Sequence, residues 1–175
     1  KGREFRDDIS GLLEHLKREL AKAFSSDDYK ARRKSMLEEG QAKQQGLFQE
    51  LRASAQRRGF IVQMTASGAA LVPVKDGKGL SQEEFMALDE DERKAYESSR
   101  NDVRKELEAA FEEAQEVERT TSEKVQEADR EVAEFTTSRL FKDLTDKYQD
   151  SSDIVRYLQN LKSYTLEKID LFKGE

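Results

Sequence analysis

Few residues in this chain are of types that could do chemistry. His15 is the single histidine, and Glu19, one helical turn later, gives it a carboxylate neighbour. One imidazole beside one carboxylate is too small a ligand set for a metal, which wants three or four protein donors, so the pair reads as part of a surface helix. The 37 Asp and Glu residues fall on charged helical stretches, where carboxylates are hydrated and pair with Lys or Arg rather than work as acid/base couples. "DGKG" (Asp76 to Gly79) has the look of a phosphate loop, but the motif needs a glycine five residues before Gly77, where Val72 stands. No G-x-S-x-G element occurs, and with no cysteine there is no thiolate nucleophile, disulfide or cysteine zinc site. The expectation is a chain with no catalytic residue, no metal ligand and no cofactor of its own.

What remains is a question of surfaces. Over 175 residues, 35% are hydrophobic and 39% charged, lean for a globule and high in charge for anything but long exposed helices or disorder. One proline, nine glycines and apolar residues at helical spacing decide for long helices. A formal charge of −6 argues against nucleic acid, whose binders neutralise phosphates with cations. The basic runs "KARRK" (Lys30 to Lys34) and "QRR" (Gln56 to Arg58) lie beside acidic neighbours and read as solvated helix faces. There is no apolar run of membrane-spanning length and no signal sequence, so no membrane partner is expected, and the lack of cysteine fits a reducing, cytoplasmic setting. The start "KGREF", without Met, suggests a piece of a longer chain.

The elements follow from periodicity and caps. A first helix is expected over 1–24, with Phe5, Ile9, Leu12, Leu13, Leu16 and Leu20 on one stripe. "SSDD" (Ser25 to Asp28) caps a second over 26–58, whose middle, Glu38 to Gly46, carries no large apolar residue and two glycines, Gly40 and Gly46, and reads as a poorly packed exposed stretch, with a hinge as the other reading. A β-hairpin is expected over 59–78, from the runs Phe60 to Thr65 and Ala69 to Val74 around Ser67-Gly68. That turn would set Met64 against Leu71 and Val62 against Pro73, with Ile61, Val72 and Val74 on the other face, and Pro73 would mark an edge strand. Ser81 with Glu84, and Asp89 with Glu92, read as capping boxes for a short helix over 81–88 and a long one over 89–148. The long helix bears a coiled-coil seam, Val103, Leu107, Ala110, Ala114 and Val117, continuing after a stutter through Val125, Ala128, Val132 and Phe135. A last helix is expected over 151–173. The whole reads as a mainly α fold: an antiparallel helical bundle extended into a long two-helix coiled-coil stalk, with a small β-hairpin at its tip. Something must cover the hairpin, and Phe85, Met86 and Leu88 of the short helix are the bland choice.

Three stretches, "RGFIVQMTASGAALVPVKDGKGLSQEEFMAL" (Arg58 to Leu88), "ADREVAEF" (Ala128 to Phe135) and "IVRYLQNL…LEKIDLF" (Ile154 to Phe172), resemble the helical segment inserted in the ATPase portion of Lon-related ATP-dependent proteases of the AAA+ class. The resemblance covers essentially the whole chain, with Ala66 and Gly79 standing where that family usually has proline. It implies a parent that binds ATP and Mg, carries a serine-lysine protease dyad outside this segment, and assembles as a ring, expected to be a hexamer. On that reading this segment is a non-catalytic accessory domain acting on unfolded or damaged polypeptides, with Phe60, Ile61, Met64, Leu71 and Val72 as its contact residues. Two other readings stand beside it: helices that organise the ring without touching a client, and a stand-alone coiled-coil adaptor unrelated to proteolysis.

Overall fold

Small polar residues set where the helices begin. Ser26 accepts a hydrogen bond from the Tyr29 amide at 3.3 Å. Ser81 and Glu84 form a reciprocal capping box, each side chain accepting from the other's backbone amide at 3.1 Å. At Asp89 only half of the expected box forms. Its carboxylate accepts from the Glu92 amide at 2.9 Å, but the Glu92 side chain turns to Lys75 Nζ at 2.8 Å instead of reaching back.

The computed structural model describes residues 2–173. In chain order these form α1 (Gly2–Phe24), α2 (Asp27–Arg57), β1 (Phe60–Thr65), β2 (Gly68–Lys75), β3 (Lys78–Gly79), α3 (Gln82–Met86), α4 (Glu90–Lys147) and α5 (Ser152–Glu167), followed by a 3-10 turn over Ile169–Phe172. The fold is mainly α with one small antiparallel sheet. Among the described residues no helix is long and apolar enough to cross a membrane. The last helix differs from expectation: it ends at Glu167 and tightens into the 3-10 turn, with the Lys168 amide bonded to the Tyr164 carbonyl. The chain divides into two compact units, one of residues through Leu37 and from Thr121 onward, the other Glu38–Thr120.

In the first unit, Leu12, Leu16, Leu20 and Phe24 recur every fourth residue of α1 and are buried against Ala133, Leu140 and Phe141 of α4, Leu158 of α5 and Ile169. Asp8 meets Lys147 and Glu19 meets Arg139, so α1 runs antiparallel to this part of α4. The buried face of α4 here is Ala128, Asp129, Ala133, Thr136, Thr137, Leu140 and Phe141. Phe135, expected on the seam, is 73% exposed. The contact stripe drifts by one residue after Val132 because α4 is packed here by both α1 and α5, which bury a wider face than a two-helix seam does.

Asp129 is nearly buried and holds two partners: the Tyr29 hydroxyl, which donates to it, and Lys173 Nζ at 2.5 Å. Burial, then the bond to Asp129, pushes the Tyr29 phenol up to about 12. Burial opposes the Lys173 charge, but its hydrogen bonds to Asp129 and Asp170 prevail and hold its pKa above the usual lysine value. At the other end Lys147 donates to Asp8 at 2.6 Å and pairs with Glu4 at 3.2 Å, and Tyr148 also donates to Asp8 at 2.7 Å. These bonds, Lys147 first, hold the Asp8 carboxyl below the usual carboxylate range.

Two outcomes are expected. A raised phenol pKa stabilises the fold fully below the unfolded value near pH 10, and that contribution is lost as pH rises toward about 12. Urea midpoints between pH 9 and 12 should therefore fall more steeply for the wild type than for Tyr29→Phe. Thr137 is fully buried with its hydroxyl unpartnered among the described residues. Removing an unsatisfied buried polar group relieves its desolvation cost, so Thr137→Val should raise unfolding stability by about 1 kcal/mol in denaturant titration.

Candidate functional site

In the second unit α2 and α4 run antiparallel. Gln44 Nε2 donates to the Ala114 carbonyl at 2.9 Å, the Phe48 and Phe111 rings meet edge-on at 5.4 Å, and Ser54 and Arg58 both reach Glu106, at 2.6 and 2.9 Å. The expected seam residues lie along this pair: Val103, Ala110 and Ala114 are buried, Leu107 and Val117 half-buried. The stretch Glu38 to Gly46 is mostly exposed, as its composition suggests, although Gly40 is buried and Gln44 bonds across to α4.

The sheet lies at the end of this helix pair, in the order β1-β2-β3. β1 pairs with β2 from Phe60↔Pro73 to Thr65↔Gly68, so the turn is Ala66-Ser67 and not Ser67-Gly68. Neither turn residue takes a positive φ; Gly68 does, at +137°, and absorbs the reversal just after them. Moving the turn by one residue shifts every partner by two, which preserves the faces. Val62 therefore faces Leu71 and Met64 faces Ala69, while Ile61 faces Val72 on the opposite side.

Pro73 is not on an edge strand, because β2 is central. A second two-residue turn, Asp76-Gly77, takes φ of +52° and +75° and brings β3 back against Val74 and Lys75. Asn-Gly or Asp-Gly with both φ positive is the favoured tight hairpin, so "DG" was the local signal for the third strand. The proline is tolerated because the ladder is short. The Val74 amide bonds Gly59 O at 2.8 Å, which makes 59·74 a hydrogen-bonded pair and 60·73 a non-bonded one, with the proline nitrogen facing away from β1. On its other side Leu80 N donates to Pro73 O at 2.8 Å, and β3 stops at Gly79, just before Pro73 would have to donate in return.

One face of the sheet is anchored. Phe60, 1% exposed, packs with Ala55 of α2 and Val103 of α4, and Val62, Leu71 and Tyr96 border that cluster. Tyr96 and Arg100, one turn apart on α4, form a clamp. The Tyr96 ring meets Phe60 edge-on at 5.8 Å and Phe85 at 6.0 Å, and the Arg100 guanidinium stands 5.7 and 5.5 Å from the same two rings. Tyr96 also donates to the Val74 carbonyl at 2.7 Å. Its ring passes so close to Gly59, at φ +82°, that a Cβ there would lie 3.3 Å from Tyr96 Cε1. Lys75 is tied to Glu92, and that hydrogen bond, against desolvation, raises its pKa.

The five expected contact residues therefore separate. Phe60 is internal, which corrects its assignment as a contact residue, and Leu71 is half-buried against the same cluster. Ile61, 50% exposed, and the half-buried Val72 form a cross-strand pair on the opposite face; Met64, 52% exposed, lies beyond the anchored cluster. α3 reaches the clamp through Phe85, whose ring meets Tyr96, while Met86 is 60% exposed. Tyr96 and Arg100 were not singled out from sequence; their signal was an aromatic and an arginine four apart on a helix face otherwise short of large apolar residues.

Other places offer less. His15 is exposed, with Nε2 3.9 Å from Glu19 Oε1, and among the described residues no three His, Cys, Asp or Glu side chains converge to hold a metal. A groove of about 900 Å³ in the first unit is lined by Asp129, Glu134, Asp170 and Lys173, but these charges already pair, Glu134 with Lys162 and the two aspartates with Lys173. No family model matches the chain, and no curated protein matches it.

Adjacent residues of similar hydrophobicity should thus differ sharply in weight. Phe60→Ala should cost about 3–5 kcal/mol and Ile61→Ala less than about 1 kcal/mol, read by urea denaturation together with amide exchange of the strands.

Proposed function

We propose that this chain is a non-catalytic accessory domain of a Lon-like ATP-dependent serine protease, and that its sheet engages unfolded polypeptide. ATP, Mg and the serine-lysine dyad belong to the parent outside this segment, as does assembly into a ring in the cytoplasm. The observation that carries the client-contact part is the outward Ile61/Val72 pair, held on a sheet whose other face is clamped to two helices, with Met64 half-exposed on that clamped face beyond the cluster. Apolar side chains presented on a fixed support suit partners that themselves expose apolar surface, as unfolded chains do.

The stand-alone adaptor reading is less well supported. The family resemblance is what separates the two, since Val103, Ala110 and Ala114 are buried within the chain on either reading. Titrating a fluorescently labelled, reduced and carboxymethylated polypeptide into the protein tests the proposal. Ile61→Asp, at a half-exposed site, should weaken binding at least about ten-fold, as losing a buried apolar contact to a charge does, while the urea midpoint checks that the variant stays folded. Equal binding by wild type and Ile61→Asp would overturn contact through the Ile61/Val72 face, and a wild type that binds no polypeptide would overturn the client-contact reading and leave the ring-organising one.

A further inference from the structure

We infer that the outer edge of β1 captures client polypeptide as an added strand, through backbone hydrogen bonds along Val62 and Met64. The inference rests on the reading that the sheet contacts unfolded polypeptide, and it adds the chemistry of recognition: the occupant is an extended segment with unpaired amides, whatever its sequence.

The register fixes which backbone groups are free. With 59·74 hydrogen-bonded, the bonded pairs of β1 with β2 are those of Ile61, Gln63 and Thr65. The amides and carbonyls of Val62 and Met64 therefore point away from β2, and among the described residues they meet no hydrogen-bond partner. Together with the Phe60 carbonyl they offer two donors and three acceptors in one row.

The two edges of the sheet are treated differently. β3 is only two residues long and carries an exposed lysine, Lys78, two of the usual devices that discourage strand addition. β1, "FIVQMT", has six residues with no charge, no proline and no bulge in its register. Such an edge is a template for another strand, and the row of alternating donors and acceptors matches an extended chain and not a helix, whose backbone groups are already paired. Side chains flank the row on both faces, Ile61 on one and Met64 on the other, both half-exposed. An added strand would find apolar contact on either side, with no demand for a particular sequence.

Met64 allows a clean test, because its amide faces outward and a proline there removes a donor from the free edge without breaking the β1–β2 ladder. Met64→Ala keeps the amide and deletes the side chain. With the same labelled carboxymethylated polypeptide, Met64→Pro should bind at least about ten-fold more weakly than Met64→Ala, while the Ile61 and Gln63 amides keep their protection from exchange. In the wild type, saturation with polypeptide should slow exchange of the Val62 and Met64 amides.

If Met64→Pro and Met64→Ala bind alike, or the Val62 and Met64 amides exchange unchanged on saturation, strand addition is wrong. Loss of binding in Ile61→Asp alone would then leave side-chain contact standing. A wild type that binds no polypeptide overturns both readings. Dimerisation that Met64→Pro abolishes, without polypeptide binding, would overturn the inference in favour of pairing between two copies of β1.

Discussion

The sheet depends on the burial of one phenyl ring. Three short strands, one of them two residues long, bury too little to stand in water unaided. Phe60 lies where α2 ends and β1 begins, and it is closed over by Ala55, Val103, Tyr96 and Arg100. A fully buried aromatic side chain contributes a few kcal/mol, more than any exposed ion pair nearby. The Arg58–Glu106 and Lys75–Glu92 bridges, each with partly exposed partners, orient the ends of the sheet rather than hold it.

The other unit is built on a different rule. Its core is an aliphatic row on α1 meeting α4 and α5, with charged pairs along the margins and a polar node at Asp129. That node satisfies both carboxylate oxygens, by the Tyr29 hydroxyl and the Lys173 ammonium. A nearly buried carboxylate is tolerable on that condition. Thr137, buried with no such partner, is the local exception.

Apart from the end of α5, helix limits were legible within a few residues because the signals are local: apolar spacing, Ser26 and Ser81 as caps, and the Gly59 break. The faces of β1 and β2 were legible too, since a turn displaced by one residue leaves the parity of both strands intact. Three things were not. The third strand was hidden because "DGKG" resembles both part of a phosphate loop and a positive-φ turn, and a two-residue strand after it leaves no periodicity to decide. Pro73 suggested an edge because sequence does not reveal toward which neighbour a missing amide points. Which of two adjacent apolar residues is buried, Phe60 or Ile61, depends on Tyr96 and Arg100, far along the chain. The same limit applies on α4, where Phe135 falls outside the stripe because two helices, not one, define the buried face.

Gly59 has a mechanical consequence. A single residue of left-handed backbone carries the chain from α2 into β1, and the Tyr96 ring is seated against that residue while its hydroxyl holds the neighbouring Val74 carbonyl. There is no slack linker at this joint. A displacement of β1 is therefore passed to α2 through the covalent path and to α4 through the aromatic contact, with no loop between them to absorb it.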